Sequence, residues 1–211
     1  MARLLLRGVL AWALAIGLGA ALGRVAVDAM LPAFALVGEG LSPEYAPVYT
    51  WDDKQPDMLM LRADLLTPTR ATQDAGVRRG QVVTTGTNLT HVLVPPVIVL
   101  AVIACWPLSG WRQHVVAAAL GVPLAGLSIL LTTPFLLAGK VEALLRAYAL
   151  RAGFERETSL VYQWMMMSEG GARWALPLLL ALLAVGIASR FNGNRTSAPA
   201  APPGHRRTTP A

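Results

Sequence analysis

The apolar residues of this chain fall in four long blocks, not in the short alternating or amphipathic runs of a soluble domain. The first runs from about Gly8 to Val27, interrupted only by Arg24. The others are Leu89 to Trp106, Val115 to Ala138, and the short Trp174 to Ser189. A helix needs about 20 apolar residues to cross the hydrocarbon core, with roughly 17 as the lower end. Arg173 and Arg190 flank the fourth block and can snorkel outwards, which keeps it a span. The pattern predicts an α-helical integral membrane protein with four transmembrane helices and a small β-rich extracytoplasmic domain between the first two.

Basic residues set the direction of the helices. Segments 1–7, 107–114 and 190–211 hold Arg3, Arg7, Arg112, Arg190, Arg195, Arg206 and Arg207, and no acid. All 12 acidic residues lie in 28–88 and 139–173, where lysine and arginine are about half as dense. Both termini are therefore expected in the cytoplasm. The expected organisation is a cytoplasmic N-terminus and first helix over 1–27 and an extracytoplasmic domain over 28–88. A helical hairpin over 89–138 follows, then an outer amphipathic segment over 139–173, a last span over 174–190 and a disordered Pro-, Ala- and Thr-rich tail over 191–211. The first block also resembles a signal peptide. Arg24 and the lack of a well-placed small-x-small pair before Asp28 favour an uncleaved anchor.

Within 28–88, Pro32, Pro43, Pro47, Pro56 and Pro68 are expected to interrupt helix formation repeatedly. Between them lie extended candidates at Val48–Trp51, Asp57–Leu66 and Val77–Thr87. The middle one alternates, with Leu59, Leu61, Ala63 and Leu65 on one face and Met58, Met60, Arg62 and Asp64 on the other. A three-stranded antiparallel sheet fits, and about 60 residues give so thin a core that it must lean on the helices or on a partner. In 139–173, Val141, Leu144, Leu145 and Tyr148 form an apolar stripe, and Glu142 and Arg146 are spaced for an i,i+4 pair. This helix either continues the third block or lies at the interface, with a break at Gly153. Trp164 and Trp174 suit one water–lipid boundary, and Trp106 and Trp111 the other.

Composition agrees with this class. The chain has 211 residues, 55% hydrophobic and 14% charged, against about 25% charged in soluble domains. The net charge of +6 is dispersed, so it reads as topology determinants and lipid contacts and gives no nucleic-acid face. The single cysteine, Cys105, excludes an intramolecular disulfide and any multi-cysteine metal site.

Candidate chemistry is sparse. Asp52, Asp53 and Asp57 cluster around Lys54, but without the D-x-D-x-D-G spacing of a calcium loop they read as a solvated turn. Met165–Met167 are soft ligands, yet three consecutive methionines cannot converge from a helix, and packing is the reading taken. Cys105 and His114 could meet across a hairpin, on the cytoplasmic side and without a cleft. No nucleotide, zinc-protease or serine-hydrolase motif is present. No catalytic, cofactor or metal residue is assigned, and no cofactor is expected. Polar positions remain as contact or structural candidates: Asn88 and His91 at the outer end of the second helix, with Thr90 placed to cap it, and Tyr162 and Gln163 in the last outer segment. Gly19 and Gly23, and Gly121 with Ala125, have the spacing of close helix packing. No charge interrupts the last three blocks, which argues against a transporter.

The run Asn88-Leu89-Thr90-His91 into a Pro-containing helix, and Tyr162-Gln163 ahead of a final span with Pro177, complete a layout that resembles the exosortase H-associated membrane proteins of Gram-negative bacteria. The resemblance implies a non-catalytic accessory subunit of an inner-membrane complex, partnered with an integral membrane protein of the exosortase type and with the bilayer. A lipid- or small-molecule-handling membrane enzyme using His91 and Tyr162 is the alternative, and a small transporter or channel component the third.

Overall fold

A computed structural model describes residues 2–191, so the expected tail lies, but for Phe191, outside the described residues. The elements are α1 (Ala2–Leu41), β1 (Tyr45–Trp51), β2 (Met58–Leu65), α2 (Arg70–Asp74), β3 (Val82–Asn88), α3 (Leu89–Cys105), α4 (Trp111–Arg151), α5 (Leu160–Met167) and α6 (Arg173–Arg190). Three helical stretches are long and apolar enough to cross a membrane: Gly8–Leu41, Trp111–Arg151 and Leu160–Arg190, the last joining α5 and α6. α3 is shorter, at 17 residues.

α1 and α4 have 40 and 41 residues, so each is about 60 Å long, roughly twice the hydrocarbon thickness. Each rod has one uncharged apolar run, 8–23 in α1 and 115–139 in α4. The halves beyond carry Arg24, Asp28 and Glu39 on α1, and Lys140, Glu142 and Arg146 on α4. These polar halves form a cradle for the sheet.

The expectation that Pro32 breaks the helix is corrected here, because α1 runs through it to Leu41. Pro32 removes the N–H that would reach the Asp28 carbonyl, but packing on the sheet holds the rod together. Phe34 is fully buried and meets Tyr49 edge-on, with ring centroids 5.7 Å apart. The Trp51 indole donates to the Asp28 carboxylate, and the Arg24 guanidinium lies 5.0 Å from the Trp51 ring centroid. Extended structure therefore starts at Tyr45, well after residue 28.

The sheet is antiparallel in the order β1-β2-β3. The alternation read in β2 is the observed one, with Leu59, Leu61, Ala63 and Leu65 buried against α1 and α4. β3 starts later than Val77, because Gly80 turns the chain at φ +82° and Leu65 bonds across that turn. α4 grips the strand from the side. Lys140 Nζ donates to the Gly86 carbonyl at 2.9 Å, and the Thr85 hydroxyl donates to the Leu137 carbonyl at 3.3 Å. One core thus joins the sheet to the bundle, as the thin-core argument required.

A second core fills the opposite end of the bundle, where Val99, Ile103, Ala117, Ala125, Ala181, Ala184, Val185 and Ala188 meet. Small residues let these helices approach closely. Gln113, buried there, accepts from the Ser109 N–H and donates to the Ser189 carbonyl. That side chain ties the α3–α4 turn to the end of α6.

Candidate functional site at the junction of sheet and helices

The most built polar site in the described residues lies where β1 begins. The Arg156 side chain is 8% exposed and sits between Glu44, 13% exposed, and Glu142, 7% exposed. Its Nη2 donates to Glu142 Oε2 at 2.9 Å and Glu44 Oε1 at 3.0 Å, while Nη1 donates to Glu44 Oε2 at 3.1 Å and the Thr69 hydroxyl at 2.9 Å. Glu44 leads into β1, Thr69 precedes α2, Glu142 lies on the polar half of α4, and Arg156 on the loop after it. One guanidinium therefore joins four parts of the chain.

This arrangement corrects the expected Glu142–Arg146 pair. Arg146 turns instead to the Thr158 hydroxyl, at 2.8 Å, and lies 5.5 Å from the Tyr162 ring centroid. Glu142 is thereby left for Arg156, which the loop after Gly153 (φ +81°) returns over the helix. An exposed i,i+4 pair gains only about 0.3–0.5 kcal/mol, whereas an unpaired buried carboxylate costs several times more. The buried partner wins.

Burial pushes Glu44 above the ordinary glutamate range. The charge and hydrogen bonds of Arg156 offset this only in part, and the charge of Glu142 adds to it. Burial works against the charge on Arg156, but the bonds and attraction of Glu142 and then Glu44 outweigh it and hold the guanidinium charged. Tyr45 beside the cluster is pushed up by burial, and next by the charge of Glu142. Two carboxylates thus share one guanidinium. Above them opens a cleft of about 470 Å³, rimmed by Glu155, Glu157 and Arg70. Four carboxylates against two guanidinium groups leave it acidic.

The sequence candidates fall elsewhere. Asn88, not Thr90, caps α3, its side chain accepting from the Thr90 N–H at 3.0 Å and the Thr90 hydroxyl at 2.9 Å. His91 Nδ1 lies 3.2 Å from Arg173 Nη1. Tyr162 takes the Arg146 guanidinium and Gln163 is exposed on the same short helix. The structure therefore does not gather Asn88, His91, Tyr162 and Gln163 into one site. A π-helical turn at Ser168–Ala172, with Gly171 at φ +129°, brings Ser168 and Arg173 to the His91 side of the bundle.

Among the packing candidates, Gly23 lies against Leu93, Gly19 against Val97 and Gly121 against Ile103, and Ala125 is buried in the second core. Gly139, not singled out by spacing, lets α5 approach α4, because a Cβ there would overlap Met165. Met165 is buried, whereas Met166 and Met167 are exposed, so the methionines do not converge. Cys105 leans on the Gly8 carbonyl and His114 on that of Gly110, each engaged locally. No group of three metal-ligating side chains exists among the described residues.

Comparison with known proteins adds no relative: no family model, no curated protein and no solved structure matches the chain.

Proposed function

We propose that this chain is a non-catalytic accessory subunit of a bacterial inner-membrane complex. It crosses the membrane four times with both termini in the cytoplasm, and it assists a protein-sorting enzyme of the exosortase type. The observation that carries this reading is the Arg156 cluster. Its Nη1 and Nη2 donors are spent on Glu44, Glu142 and Thr69, so the group acts as a clamp. The clamp fixes the sheet on the projecting halves of α1 and α4 and leaves a preformed acidic cleft. A rigid acidic surface on a membrane scaffold suits the capture of a basic segment of a partner or its exported substrate. α1 adds membrane-facing contact area, since Leu10, Leu14, Leu18 and Val25 point away from the rest of the chain.

Affinity purification of the full chain in mild detergent tests this reading. It predicts a stoichiometric membrane protein partner whose recovery falls when Glu155 and Glu157 on the cleft rim are changed to lysine. A stable monomer with no partner in the same detergent contradicts it.

A further inference from the structure

Where α3 and α6 both begin, a cavity of about 10 Å³ lies between them and α4, lined in part by His91, Val92, Pro95, Thr132, Ser168 and Arg173. Two of its polar groups have no use within the chain. The Ser168 hydroxyl and Arg173 Nε are buried and make no hydrogen bond among the described residues. The Thr132 hydroxyl, by contrast, donates to the Ser128 carbonyl at 2.7 Å. The other side of the Arg173 guanidinium is engaged by His91, whose Nδ1 lies 3.2 Å from Nη1.

The backbone explains why these two donors come together. Through Ser168–Ala172 the chain takes a π-helical turn, and the Arg173 N–H reaches the Ser168 carbonyl five residues back. Positions five apart lie on different faces of an α-helix, whereas the wider π-turn stacks them on one. Across the cavity, Pro95 and Pro96 lie inside α3. They carry no N–H, so the His91 and Val92 carbonyls lose their usual partners four residues on. Two unanswered donors at the start of α6 thus meet two unanswered acceptors at the start of α3.

We propose that this cavity binds a single structural water. The water accepts from Arg173 Nε–H and from the Ser168 hydroxyl, and it donates to the carbonyls that the prolines leave free. A buried water needs two to four polar partners, and a cavity of about 10–15 Å³ holds one. A halide would answer the donors but repel the carbonyls, and a larger anion does not fit. The water completes the joint between α3 and the π-turn, which side chains alone leave unmade. This inference does not depend on the accessory role, because the cavity and the acidic cleft share no residue.

Water-selective nuclear magnetic resonance of the full chain in detergent, labelled with ¹⁵N-arginine, tests it. The Arg173 Nε–H signal is identified by its loss in R173Q. In the parent it should show a direct dipolar cross-peak to water, and it should not move when chloride is replaced by bromide or gluconate at constant ionic strength. S168V, which fills the cavity with an apolar branch, should lose the cross-peak. The parent spectrum decides the occupant whether or not S168V folds. A parent signal with no water cross-peak, one with only the exchange cross-peak of an open surface, or one that shifts with the halide would each overturn the proposal. So would an S168V chain that folds and keeps the dipolar cross-peak.

Discussion

Replacing Arg156 with glutamine removes a single side chain and strands two carboxylates. The Glu44 and Glu142 side chains are 13% and 7% exposed, so little water can replace the lost guanidinium. Removing one partner from a buried ion pair costs about 3–5 kcal/mol, and the lost bond to Thr69 adds about 1 kcal/mol. Glutamine restores at most one neutral hydrogen bond, which leaves about 4 kcal/mol of destabilisation. In a chain of this size that lowers the melting midpoint by roughly 10 °C. The assay is thermal melting of purified protein in one detergent, with hydrogen exchange read separately over β1 and β2. R62Q is the control, since the Arg62–Asp64 pair is 56% and 38% exposed and such pairs are worth about 0–1 kcal/mol. The triple variant E44Q/E142Q/R156Q removes the stranded charges and should recover more than half of the loss. An R156Q chain that melts like R62Q, or a triple variant no better than R156Q, refutes the idea that a buried charge balance locks the sheet.

The raised Glu44 pKa has a signed consequence. Its contribution to stability is fully present below the unfolded glutamate value and is lost as pH rises through the raised folded value. The parent should therefore lose stability relative to E44Q as pH rises from about 4, the unfolded glutamate value, as parallel melting curves would reveal. G139L should cost about 1–3 kcal/mol by driving the leucine into Met165, and M165A in the same chain should return part of it. N88A should cost about 1 kcal/mol by freeing the first turn of α3, with faster amide exchange confined to Leu89–His91.

Period-two alternation made β2 legible in advance, because Leu59, Leu61, Ala63 and Leu65 needed a dry face wherever the sheet docked. The apolar blocks located the rods of α1, α4 and α6 for the same reason. What alternation could not give was where α1 and α4 ended. Pro32 carries a local helix-breaking cost, and tertiary packing through Phe34, Tyr49 and Trp51 outweighs it. The Arg156 cluster was equally hidden. Glu44 and Arg156 are 112 residues apart in sequence, and short-range pairing rules pointed Glu142 at Arg146. A weak signal existed: Arg156 stands between two glutamates on a segment with no helical period, where surface pairing offers no reason for a cation. His91 and Arg173 were each visible as polar groups at helix ends. The π-helical turn at Ser168–Ala172, which no local pattern announced, leads into Arg173 where it meets His91.

The proposed arrangement of four spans, with the sheet and the Arg156 cleft on the extracytoplasmic side, underlies the functional reading. It is tested most directly by cysteine accessibility in intact cells. Single cysteines at Asp53, Glu155, Arg112 and Thr196 in a Cys105→Ser background would be probed with a membrane-impermeant thiol reagent. Labelling at Asp53 and Glu155, with Arg112 and Thr196 reactive only after permeabilisation, is the predicted result. Protection of Glu155, or labelling of Thr196 from outside, would mean that the last helix does not cross and that the acidic cleft does not face an extracytoplasmic partner.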